Sequence, residues 1–114
     1  MAKRVLDGEL VFRKYWEMGR GASWLKVKRW FETQGYVSST GQPYLRMTLW
    51  KSAWRWAVQN SEKAYGIVQE TLVQYNDSMS KVEWEQELIE KGATAFQNLK
   101  YYRALKKHIR EHGN

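Results

Sequence analysis

The sequence predicts an all-α fold: a small bundle of about five helices, with a helix-turn-helix-like first half and a long last helix. Three observations predict it. Apolar residues recur at three- and four-residue steps through successive segments, as they do on one face of a helix. Helix-start residues (Asp7, Ser23, Pro43, Ser61, Ser80) alternate with helix-stop residues (Gly19, Gly35, Asn60, Asn76). The chain has a single proline and no alternating run of Val, Ile and Thr that would read as a strand.

Residues 1–6 are expected to form a frayed arm. Asp7 should cap a first helix that runs to about Met18, with Glu9 suiting its positive end. Leu10, Val11, Tyr15 and Met18 are placed to face the core, and Phe12 and Trp16 form a second i,i+4 pair. Gly19 and Gly21 then stop the helix. Ser23 caps the second helix and Gly35 ends it. Trp24, Val27, Trp30 and Phe31 make its apolar face. Lys26, Arg29 and Thr33 lie opposite, and Lys28 sits at the edge, where it can snorkel.

A polar turn of Ser, Thr and Gly follows, and Pro43 is expected in the first turn of a third helix that ends near Gln59, with Asn60 as its stop. Projected on a helix, Tyr44, Thr48, Lys51, Ser52, Arg55 and Gln59 share one arc of about 100°. Leu45, Met47, Leu49, Trp50, Ala53, Trp54, Trp56, Ala57 and Val58 cover most of the rest and predict a largely buried helix. Arg46 falls among them, near enough to the helix start to reach solvent. The polar arc contains no carboxylate.

Ser61 opens a fourth helix, with Ala64, Ile67, Val68, Thr71, Leu72 and Tyr75 as its core face; Gly66 within it would permit a close helix crossing. Residues 76–78 break the chain. Ser80 and Glu83 then form a capping box for a last helix. Leu88, Ala95, Tyr102 and Ile109 repeat there every seven residues, with Leu99 and Phe96 beside the line, and make a candidate oligomer or partner face. Gly92 is placed to bend or split this helix. Its acidic start and basic end (Lys100, Arg103, Lys106, Lys107, Arg110) complement the helix dipole.

A chain of 114 residues is expected to fold as a single domain over 1–114, with 1–60 as a reading half and 61–114 as packing or assembly helices. The absence of cysteine excludes disulfides, thiolate metal sites and cysteine nucleophiles. No apolar run approaches the roughly 18 residues of a membrane span, and the first residues lack the apolar stretch of a secretory signal. The expected location is the cytoplasm, or the host cytoplasm for a viral protein. Nineteen Lys and Arg face twelve Asp and Glu, giving a charge of +7 and a pI near 9.7. That balance favours a polyanionic partner, because each phosphate contact releases counterions. Seven Trp and seven Tyr beside three Phe suit a small core, a sticky interface or stacking on bases.

No Walker loop, GxSxG, HExxH or dinucleotide loop is present, so neither an enzyme nor a cofactor is expected. Glu83, Glu87 and Glu90 share one helix face, which reads as solvated surface, as does the i,i+4 pair His108 and His112; no metal site is assigned. Gly19, Arg20, Gly21, Ala22 and Ser23 precede a helix start, where backbone N–H groups can hold a phosphate.

Gly21, Ser23, Val27, Phe31, Gly35, Ser39, Gly41 and Pro43 fall in an order that resembles helix-turn-helix DNA-binding domains, most nearly those of site-specific recombinases and phage-encoded regulators. A reading half followed by assembly helices also resembles phage terminase small subunits, which bind DNA as ring oligomers. The resemblance implies a non-enzymatic DNA-binding protein of phage or mobile-element type. Gln42, Tyr44, Arg46, Thr48, Lys51, Ser52 and Arg55 would then lie on or near the major groove, and Lys26 and Arg29 would brace the backbone. The same residues also fit a helical hairpin in a bundle, acting as a protein–protein module or an accessory subunit of a larger, possibly nucleoprotein, complex.

Overall fold

The computed structural model describes residues 6–96, without the side chain of Phe96, together with 107, 110 and 111. Between residues 6 and 96 lie five helices: α1 (Gly8–Glu17), α2 (Trp24–Thr33), α3 (Arg46–Gln59), α4 (Ser61–Val73) and α5 (Lys81–Phe96). The all-α bundle predicted from the sequence is what forms. Among the described residues, no helix is long and apolar enough to cross a membrane.

Local chemistry sets most of the boundaries. The Asp7 carboxylate accepts the Glu9 N–H at 3.0 Å and starts α1. Ser23 Oγ accepts the Leu25 N–H at 3.1 Å and starts α2. Gly35, with φ of +82°, follows the C-cap Gln34 of α2 in the left-handed conformation that turns the chain away. Ser80 and Glu83 satisfy one another in both directions: the Glu83 N–H donates to Ser80 Oγ, and the Ser80 N–H to the Glu83 carboxylate, each at 3.1 Å.

The start of α3 differs from expectation. Val37 and Pro43 pair as an antiparallel β-bridge, closed by the Ser38 N–H on the Gln42 carbonyl at 2.8 Å. Residues 37–43 are therefore a small hairpin tongue. Pro43 belongs to it, where its missing N–H costs no ladder bond. The helix begins only at Arg46, after Leu45, which offers no side-chain cap.

α3 touches all four other helices and is the axle of the bundle. It buries Leu49, Ala53, Trp54, Ala57 and Val58. Trp54 and Trp84 stack at 5.9 Å, and Phe12 sets its ring edge-on to both, at 5.6 Å and 5.8 Å. Tyr65 closes the cluster against Trp84 at 6.4 Å. This aromatic centre joins α1, α3, α4 and α5, so large rings supply the apolar area that a small core needs.

Several expectations about packing are corrected. In α1 the deeply buried residues are Val11, Phe12 and Trp16, while Leu10, Tyr15 and Met18 lie at the core's edge. Leu45 and Met47 are 67% and 55% exposed, because α3 starts beyond the end of the core. Gly66 faces open space and mediates no helix crossing. Tyr75 lies past the end of α4 and turns back to α1, where its hydroxyl donates to the Glu17 carbonyl and its ring covers Gly19. α5 runs unbroken through Gly92, which is buried.

Candidate nucleic-acid interface

One side of α3 faces away from the core. The five residues Thr48, Lys51, Ser52, Arg55 and Gln59 come together there, as the helical projection predicts. With Gly8 and Trp56 they line an open groove of about 510 Å³ between α3 and the start of α1. Gly8 is what lets the two helices meet. A Cβ at that position would stand 2.6 Å from the Ser52 carbonyl oxygen and 2.7 Å from Trp56 Cβ. Trp56 is half-buried, held by its ring contact with Phe12 at 5.6 Å, and walls the groove.

The arc forms the floor of a groove and not a ridge. Lys51 and Ser52 are half-buried, while Thr48, Arg55 and Gln59 are exposed. Two cations, two hydroxyls and an amide face one concavity, and none of its lining residues is acidic. Such a set can donate several hydrogen bonds to one phosphodiester strand. Arg55 also serves the fold: its Nε donates to the Ala95 carbonyl oxygen at 2.7 Å, near the end of α5.

Ion pairing separates the basic residues into two groups. Arg13, Lys14, Arg20, Lys28, Lys63 and Lys91 each lie within ion-pair distance of a carboxylate: Glu70, Glu17, Asp77 and Glu83, Glu32, Glu9, and Glu87 respectively. Lys26, Arg29, Arg46 and Lys51 form no ion pair with any described residue; Lys81 is the other such cation between positions 6 and 96. The four are cations that the sequence singles out for nucleic acid. Arg20, in the turn ahead of α2, is held through its guanidinium by Asp77 at 3.6 Å, Glu83 at 3.3 Å and the Ser78 carbonyl at 3.2 Å.

The remaining candidates scatter. Lys26 and Arg29 are exposed on α2. Gln42 is exposed on the tongue. Tyr44 precedes α3 and is half-buried against the core, so it does not share the groove. Arg46 lies on another flank of α3, in a cleft with Trp24, Met47, Trp50 and Thr94. Sequence reasoning missed Gly8 and Trp56 as groove walls and missed this second cleft altogether. Both are built from residues distant in the chain, and helical periodicity carries no signal of that.

The candidate partner face divides as well. Leu88 and Ala95 are 1% and 0% exposed and pack inside the chain's own core, so they are not available to a partner. Leu99, Tyr102 and Ile109 lie outside the described residues, as do His108 and His112. Among the described residues, no three His, Asp or Glu side chains gather to hold a metal ion.

No protein-family model matches the chain, and no curated protein or solved structure is significantly similar to it.

Proposed function

We propose that this is a non-enzymatic DNA-binding protein, of the type found in phages and mobile elements, which holds duplex DNA against the α1–α3 groove. One observation carries the reading. Lys26, Arg29, Arg46 and Lys51 form no ion pair with any described residue, and Lys51 sits in a groove lined without any acid. A basic side chain kept clear of carboxylates retains its charge for a phosphate. The chain's net charge of +7 adds long-range attraction. The concave form favours phosphate gripping by Thr48, Lys51, Ser52 and Gln59 over insertion of a bare helix ridge.

The test is duplex binding measured across salt concentrations. Affinity should fall steeply with salt, and Lys51→Ala should reduce the log–log slope by about one. Lys51→Ala with Lys26→Ala should reduce it further. Salt-independent binding, or a slope that both variants leave untouched, would remove the groove from consideration.

A second reading is a protein–protein module. Its support is the exposure of Leu25, Leu45 and Met47, at 39%, 67% and 55%, around the start of α3. It predicts no duplex binding even at low salt, together with loss of a protein complex when Leu45 is changed to Glu.

A further inference from the structure

The cleft on the other flank of α3 is a different kind of place. Trp24 from α2, Arg46, Met47 and Trp50 from the first turns of α3, and Thr94 from α5 line an open cleft of about 320 Å³. That is near the lower end of small-ligand pockets, which span roughly 300–1,000 Å³. It holds two indoles, a thioether, one guanidinium and one hydroxyl.

One of these tryptophans differs from the others in the described residues. Trp16, Trp24, Trp30, Trp54, Trp56 and Trp84 each meet at least one other aromatic ring. Trp50 alone meets none among the described residues, although it is half-buried and lines the cleft. Trp24 is already half of a stack: Tyr15 lies parallel to it at 4.5 Å and 8°. One face of Trp24 is thus covered by Tyr15, and the residue also lines the cleft. Arg46 stands beside them, exposed and without a carboxylate partner among the described residues. A planar ring that carries an anion satisfies all of these features together.

We propose that this cleft binds a single unpaired nucleobase, stacked against Trp50 or Trp24, with its phosphate on Arg46. Thr94 Oγ supplies a polar contact to the base edge. Met47 gives a polarisable side chain that adapts to different bases. Stacking of this kind is tolerant of sequence, because every base has a π-face. The base belongs either to a single strand or to a free nucleotide, since both present the same ring and phosphate. The site shares no residue with the α1–α3 groove.

The experiment is tryptophan fluorescence of the full chain titrated with 5′-AMP, a short thymidine oligonucleotide, adenosine and inorganic phosphate. AMP or the oligonucleotide should quench saturably. Tighter binding of the oligonucleotide assigns a single strand, and binding of AMP alone assigns a free nucleotide. Trp50→Leu should weaken binding about tenfold to a hundredfold. Arg46→Ala should weaken AMP more than adenosine. Trp50 packs against the core, so Met47→Glu is the companion variant: it is largely exposed and places a like charge against the phosphate. No quenching by any nucleotide overturns the proposal. So does affinity unchanged in Trp50→Leu and Met47→Glu, or inorganic phosphate binding as well as AMP. Duplex binding read in parallel separates the two sites: nucleotide binding that persists when duplex binding is absent defeats the groove alone.

Discussion

Arg55 Nε donates to the Ala95 carbonyl oxygen at 2.7 Å, tying α3 to the end of α5 across a sequence separation of 40. A residue that the sequence offers for DNA contact is therefore also a clasp within the fold. Arg55→Ala is expected to cost about 1 kcal/mol, or about 4 °C in melting temperature, and to weaken duplex binding as well. Lys51→Ala should weaken binding with the melting temperature nearly unchanged. Thermal melts by circular dichroism, run beside the binding assay, check the contrast.

Two glycines in helices should respond in opposite directions. Gly8→Ala places a methyl group against the Ser52 carbonyl and Trp56, and forcing α1 off α3 is expected to cost about 1–3 kcal/mol. Gly66→Ala meets nothing within 4 Å and should stabilise by up to about 1 kcal/mol, the helix-propensity difference. Urea midpoints of the two variants decide the matter. The Gly8 variant should also show a disturbed groove, read as weaker duplex binding per folded molecule.

Glu83 makes one part of the stability depend on acid. The Ser80 backbone N–H, then the Arg20 guanidinium and the Ser80 hydroxyl, hold its carboxyl below its ordinary value of 4.5. A carboxyl depressed in the folded state contributes fully above its unfolded pKa, and that contribution is lost as pH falls through the folded value. Urea midpoints should therefore decline as pH drops below about 4.5. Glu83→Gln should lower the neutral-pH midpoint and flatten that part of the decline.

Trp84 is 2% exposed and meets the rings of Phe12, Trp54 and Tyr65. Trp84→Ala is expected to cost about 3–5 kcal/mol, a large part of a small domain's stability of about 5–15 kcal/mol. Loss of helical circular dichroism at moderate temperature is the expected result. Trp84→Phe should retain the helices and lower the melting point only partly.

What could be read in the sequence was what is local. Asp7, Ser23 and the Ser80–Glu83 box mark helix starts through bonds spanning only a few residues, and each does so in the structure. The polar arc of α3 was legible because helical geometry alone gathers Thr48, Lys51, Ser52, Arg55 and Gln59. Pro43 misled, because its fixed φ suits a helix start and a hairpin strand equally, and only the Val37 pairing chooses. Leu88 and Ala95 misled in another way. Their seven-residue spacing announces a buried face but not which surface buries it, and α3 does so within the same chain. The exposure of Leu45 and Met47 depends on where the core ends, and no window of sequence reports that.

The aromatic cluster has a consequence for synthesis on the ribosome. Phe12 appears early, but one of its core neighbours, Trp84, is more than half the chain behind it. Arg20 likewise waits for Asp77 and Glu83. The first three helices therefore emerge with their central ring cluster incomplete. A fragment ending at residue 60 would lack Trp84, Tyr65 and both carboxylate partners of Arg20. Trp84 completes that centre, and it leaves the ribosome only with α5.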